Sequence, residues 1–324
     1  MKLTILLVEF AFVLTGCATL PEDISTPGTL RESQVYLIDP HENSGVYGDG
    51  GTRISIDSGS FETNSRVKVE LKEFYNLPDM ILNGLSTQTS TGLLSSSGMI
   101  KIEFSELATG KKLIPIKPYH LSFRDSYLGD GSSLFSGKTR NGLLYWEPIA
   151  NKAKNNVSYR PRQNALFTTV SVNIPSIALG EDLSHRLLWL AQDSGPAPFF
   201  FELKDYGWIN CDRIFASDRN VKCSFRNLES SPTVVAVVLP AKKTILNFIL
   251  QGRETVDFNL GFNEKVLIIG FKGNFPQDKD RKIVNVSEIR EDTLSGDKEY
   301  DVLPNRVEGF GDLRREIEAI CYEN

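Results

Sequence analysis

VKVELK, residues 67–72, sets Val67, Val69 and Leu71 on one side of an extended chain and Lys68, Glu70 and Lys72 on the other. Successive side chains of a strand point to opposite faces, so this segment buries one face and wets the other. The pattern recurs. Ile100, Ile102 and Phe104 alternate with Lys101, Glu103 and Ser105, and Ile54 and Ile56 alternate with Arg53, Ser55 and Asp57. Turn-forming clusters separate such runs: YGDGGT at 47–52, NGLSTQTSTG at 83–92, SSSG at 95–98, ATGKK at 108–112, GDGSS at 129–133 and TRNG at 139–142. Many short strands with turns at this spacing predict antiparallel sandwiches. No helical period of any length interrupts them, which argues against a parallel α/β sheet.

Farther along, the polar stretch NKAKNNVSYRPRQNA at 151–165 breaks the pattern and reads as a linker. Strand candidates resume at LFTTVSVNIP (166–175), FFFEL (199–203), VKCSF (221–225), TILNFIL (244–250) and TVDFNL (255–260). VVAVVLP at 234–240 and KVLIIGFKG at 265–273 have continuous apolar runs, which mark central strands buried on both faces. GDLRREIEAICYE at 311–323 is the one clear helix, with Leu313, Ile317, Ile320 and Cys321 on one side. The expected architecture is mainly β, with two antiparallel β-sandwich-like domains over 35–150 and 166–324, the second ending in a helix.

The N-terminus reads differently. Lys2 precedes an apolar run from Leu3 to Leu14, too short for a membrane span of about 20 residues but suited to the apolar region of a signal peptide. Glu9 is out of character there, since a carboxylate is costly in an apolar segment. Leu14-Thr15-Gly16-Cys17 follows and resembles the lipobox of bacterial lipoproteins. That resemblance implies removal of residues 1–16 and acylation of Cys17, whose two or three chains anchor a protein stably. It also makes residues 17–34, with Pro21, Pro27 and Gly28, a lipidated tether. Ala18 in place of Asp implies the outer membrane.

Two resemblances extend to the body. DGGTRISIDSGSF at 49–61 and LIPIKPYHLSF at 113–123 resemble the ZU5 sandwich over about residues 49–126, although Asp57 and Ser60 stand where that module has proline and alanine. LSTQTSTGLLSSSGMIKIEF at 85–104, LFSGKTRNGLLYWEP at 134–148 and YGWINCDRI at 206–214 resemble envelope lipoproteins of Bacteroidota. They imply location and fold more than activity.

Chemistry-bearing patterns are sparse. A net charge of −5 argues against a nucleic-acid partner, which calls for a basic stripe. The three histidines, His41, His120 and His185, lie far apart. His120-Leu121-Ser122 resembles the self-cleavage sequence of some ZU5 modules, but the alignment of LSF places His120 inside a strand. SGKT at 136–139 lacks the glycine spacing of a phosphate-binding loop and is assigned to a hairpin turn. Asp292-Thr293-Leu294 fits a short O-glycosylation pattern and reads as an ordinary loop. Trp146, Trp189 and Trp208 either line a sugar-binding face or pack inside. Cys211 and Cys223 are a candidate disulfide in an exported protein, the alternative being buried thiols, with Cys321 left over. No cofactor or metal is implied.

The leading expectation is a non-enzymatic protein, held at the outer membrane by acyl chains on Cys17, that binds or supports an envelope protein or glycan. The alternatives are a carbohydrate-binding or adhesive module and a hydrolase with an ungrouped site.

Overall fold

The computed structural model describes residues 30–90, 92–124, 132–149, 201–215, 220–259, 264–273, 283–294 and 296–322. The first half supplies β1 (Gln34–Ile38), β2 (Ser44–Tyr47), β3 (Arg53–Ile56), β4 (Val67–Phe74), helix α1 (Leu77–Leu82), β5 (Leu93–Glu106), β6 (Tyr119–Ser122), β7 (Ser132–Arg140) and β8 (Leu143–Pro148). Then come β9 (Phe201–Leu203), β10 (Gly207–Phe215), β11 (Asn220–Asn227), β12 (Thr233–Leu239), β13 (Thr244–Leu250) and β14 (Arg253–Asn259). The chain continues through β15 (Glu264–Lys272), β16 (Ile283–Val286), β17 (Arg290–Leu294), β18 (Lys298–Val302), β19 (Arg306–Gly309) and helix α2 (Phe310–Tyr322).

Four sheets result. Sheet I has the order β2-β3-β6-β9, and sheet II β1-β4-β5-β10-β7-β8. Sheet III runs β13-β12-β15-β16-β19, with β17 also on β15, and sheet IV runs β14-β11-β18. Only the β11–β18 ladder is parallel among those described. The protein is thus mainly β, built of antiparallel sheets with a C-terminal helix, as the alternation implies.

Three cores hold the sheets in layers. Val67, Val69, Leu71, Ile100, Ile102 and Phe104 from sheet II meet Ile54, Ile56 and Leu121 from sheet I. Phe74, Met99 and Trp208 on the other face of sheet II meet Val234, Ala236 and Val238 of sheet III, together with α1, Leu313 and Ile317. Val235, Val237 and Leu239 face Val221, Cys223 and Phe225 of sheet IV. The residues of β12 therefore alternate between two cores, which is why its sequence shows no polar face. Ile320 and Cys321 pack partly buried beside Leu313 and Ile317, so the helix uses the face that its spacing marks.

Residues 151–165 lie outside the described residues. Beyond them the chain returns to the first unit. β9 pairs with β6, and β10 lies between β5 and β7 in the middle of sheet II. Residues 201–215, which the sequence pattern places in a second domain starting at 166, thus complete the sheets of the first. Period two specifies which side of a strand is buried, but not which strand lies beside it. α1 also escapes the sequence reading. All six of its residues are buried, so it has no polar face to set a period.

The two halves are knit by the polar segment between α1 and β5. Thr87 N donates to Ile245 O at 2.8 Å, and Ile245 N donates to Thr87 Oγ1 at 2.8 Å. Asn247 N donates to Gln88 Oε1 at 2.8 Å, while Trp146 N donates to Gln88 O at 2.8 Å. One segment therefore pairs with β13 and with β8, the outermost strands of sheets III and II. Covering strand edges in this way satisfies their backbone groups and blocks unwanted pairing. The STQT composition follows from that task, because side chains that both donate and accept can complete two ladders.

Candidate functional site

Three buried carboxylates organise the body. Glu73, on β4, accepts from Gln34 Nε2 at 2.8 Å, Gly50 N at 2.6 Å and Thr52 N at 2.8 Å. The YGDGGT turn wraps this carboxylate, and its glycines make the approach possible. A Cβ on Gly48 would sit 2.5 Å from the Glu73 carboxylate, and one on Gly50 2.9 Å from Glu73 Cδ. Tyr36 Oη donates to Tyr47 O at 2.6 Å, and Thr52 Oγ1 lies 2.8 Å from Tyr75 Oη. Gly48 and Gly50 thus serve a side chain inside the fold.

Asp79 is buried on α1. It takes an ion pair from Arg314 Nη1 at 2.7 Å, a longer one from Arg31 Nη1 at 3.6 Å and a hydrogen bond from Asn76 Nδ2 at 2.6 Å. Arg31 lies near the end of the expected tether and Arg314 lies on α2, so this carboxylate joins the entry of the body to its C-terminal helix. Asp79→Ala is expected to cost about 2 kcal/mol, less than a fully buried pair because both arginines are more than a third exposed. Denaturant unfolding of Asp79→Ala, Arg314→Met and the double variant measures the coupling; strictly additive losses would refute the pairing.

Asp212, on β10, accepts from Ser97 N at 3.1 Å and from Asn210 Nδ2. It sits where the β5–β10 register shifts, opposite Ser96 and Gly98, whose φ is +150°. The shift changes which parity of β5 faces inward. Ile100, Ile102 and Phe104 face sheet I, whereas Leu94 and Met99 face sheet III. Burial outweighs these hydrogen bonds and pushes the Asp212 carboxyl up to about 8.

Cys17 and Trp189 lie outside the described residues. The Cys211–Cys223 bridge is not formed: both are free thiols, Cys211 in the core between sheets I and II and Cys223 in that between sheets III and IV. Burial raises both, Cys223 to about 12, so they remain protonated packing groups. Leu121 and Ser122 are buried within β6, flanked by β3, and Leu121 also pairs with β9. SGKT lies in β7 itself, and the turn is Asn141-Gly142, both at positive φ. A Cβ on Gly137 would come 2.5 Å from Trp208 Cβ, so this glycine serves core packing. Trp146 and Trp208 are buried in the core between sheets II and III and form no exposed platform. Asp292-Thr293-Leu294 is strand β17 rather than a loop, with Asp292 held by Tyr300 Oη at 3.0 Å and by Lys298.

Two surface features remain. A cleft of about 200 Å³ opens between Ser287–Arg290 and Asp301–Asn305, with Ile268 and Val302 beneath. It is smaller than the usual ligand pocket of roughly 300–1,000 Å³. Its Asp301 is engaged by Arg226 in two bonds of 2.7 Å.

The other feature is a hairpin strip at the end of β5. Glu106 N donates to Lys111 O, Leu113 N to Phe104 O and Ile116 N to Ser60 O, all within 2.9 Å. Leu113 and Pro115 point inward, leaving Ile114 62%, Ile116 49% and Leu107 46% exposed. Lys111, Lys112 and Lys117 are exposed among them. The signal was present in KKLIPIK, whose lysines and isoleucines are interleaved, but exposure cannot be read from composition.

Among the described residues no helix is long and apolar enough to cross a membrane, and no group of three or more His, Cys, Asp or Glu is placed to hold a metal. No family model matches the chain, and no curated protein or solved structure is significantly similar to it.

Proposed function

We propose that the chain is a lipid-anchored envelope protein, held at the outer membrane through Cys17, that acts as a non-enzymatic binding or scaffolding module. The observation that carries this reading is the rigid exposed strip of Leu107, Ile114 and Ile116. Apolar side chains held out by backbone hydrogen bonds rather than by a loose loop form a preorganised contact surface, which lowers the entropic cost of binding. The entry of the body lies elsewhere. β1 begins opposite Leu71 and the tether reaches Asp79, whereas the strip follows Glu106, which pairs with Val67. β4, roughly 23 Å long at 3.3 Å per residue, separates them. Such a layout suits a spacer that holds one end near a membrane and offers the other to a partner.

The test is incorporation of labelled palmitate by the full-length chain or Cys17→Ala. The wild-type chain is expected to carry the label in the detergent-soluble membrane fraction. Cys17→Ala is expected to carry none, whatever membrane association residues 1–16 or the exposed strip retain. A Cys17→Ala chain labelled as the wild type is would refute the anchor.

A further inference from the structure

We infer that the strip from Leu107 to Lys117 is a docking tip for an anionic lipid surface. The inference deepens the binding role proposed above and names the chemistry of what is bound. Three exposed aliphatic side chains and three exposed lysines fall within eleven residues, with no acidic residue among them. Aliphatic groups that enter the interface, ringed by cations that remain at headgroup level, are the combination that binds peripheral proteins to anionic membranes.

The register places these groups together. Ser105 bridges Lys112, and Phe104 accepts from Leu113, so Glu103 lies beside Ile114 at the next step of the same hairpin. Lys112, Ile114 and Ile116 alternate outward, while Leu113 and Pro115 fill the core side. Bordering acids are engaged. Glu103 is paired with Lys101 at 3.0 Å and with Lys112 at 3.2 Å, and Glu106 accepts from the Thr63 and Thr109 hydroxyls at 2.5 Å each. The neighbouring 57–66 loop presents Asp57, Glu62 and Arg66, so the preference for anions rests on the lysines of the strip, of which Lys112 is shared with Glu103 and Lys117 also donates to Ser58 O at 2.6 Å.

An anionic lipid surface fits better than an apolar protein groove for a physical reason. The apolar groups stand exposed on a hairpin rather than in a cleft, so they can insert among headgroups without a complementary groove. The strip lies at the far end of β4 from the Arg31–Asp79 pair, where the chain enters the body.

The test uses purified chain beginning at Ala18, which lacks both the apolar run of residues 3–14 and the acylated Cys17, and vesicles of phosphatidylcholine with or without one-third phosphatidylglycerol. The chain is expected to sediment with the phosphatidylglycerol vesicles at low salt, to bind phosphatidylcholine alone weakly, and to be released at high salt. Replacing Lys111, Lys112 and Lys117 with Gln is expected to weaken partition roughly a hundredfold. Ile114→Ser with Ile116→Ser is expected to weaken it at least about tenfold. These side chains are exposed, so unfolding midpoints should not move. Absence of binding to the anionic vesicles would overturn the inference, as would undiminished binding of both variants. Because acylation plays no part, such a failure would leave the Cys17 anchor standing, and failure of that anchor would not alter the vesicle result.

Discussion

Glu73→Ala is expected to be among the most destabilising single substitutions in the body, with a loss of about 3–5 kcal/mol in denaturant unfolding. The carboxylate is the common acceptor for the Gln34 amide and the backbone N–H groups of Gly50 and Thr52. Alanine leaves all three donors without it, the Thr52 N–H fully buried and the other two partly so, and each unsatisfied buried donor costs about 1–3 kcal/mol. The damage also spreads. The turn at 47–52 loses its centre, and with it the order that places Tyr47 O for Tyr36 and Thr52 for Tyr75. Glu73→Gln keeps the volume but turns one acceptor into a donor, so it should cost about half as much. Gly48→Ala should reproduce much of the loss by forcing a methyl to within 2.5 Å of the carboxylate. A loss below about 1 kcal/mol for Glu73→Ala would show that the turn holds without it.

Asp212 controls the second large effect, the response of stability to pH. Its carboxyl takes up a proton near pH 8 in the folded protein, against about 3.9 for an unfolded Asp. Between these values the folded state holds the extra proton. The contribution is therefore complete at about pH 4 and is lost as pH rises toward 8, on the order of 5 kcal/mol if the site stays dry. This runs opposite to the usual carboxylate, whose pairing favours the charged form. Asp212→Asn removes the titration. Asn210 can turn its amide to offer its oxygen to the new side chain, so the variant should be nearly flat from pH 5 to 8 and more stable than wild type at pH 8. Equal slopes for the two proteins would refute a buried neutral carboxyl.

Much of the architecture is legible in the residues, and the reason is periodicity. VKVELK and IKIEFS wet one face because β4 and β5 leave the outer side of sheet II open at that end. VVAVV wets neither, because β12 lies between two cores. Leu313 and Ile317 mark the helix face correctly. What period two cannot show is adjacency. YGWINCDRI reads as a strand, but nothing local says that it enters between β5 and β7. The Asp79–Arg314 pair is equally illegible, since its members are separated by most of the chain. Cys211 and Cys223 illustrate the same limit, because a short sequence separation suggested a bridge while their strands carry them into different cores.

The candidate surface was hidden for another reason. In LIPIKP the inward and outward residues are both apolar, so alternation gives no contrast. Only the hydrogen bonds to Phe104 and Ser60 decide that Leu113 and Pro115 are inside while Ile114 and Ile116 face outward.

The central functional claim, attachment through an acylated Cys17, has one most direct test. Intact-mass and N-terminal peptide mass spectrometry of the protein extracted from envelopes should find a mature chain that begins at Cys17 and carries two or three fatty acyl chains. A chain that retains residues 1–16, or begins elsewhere with an unmodified Cys17, would contradict it.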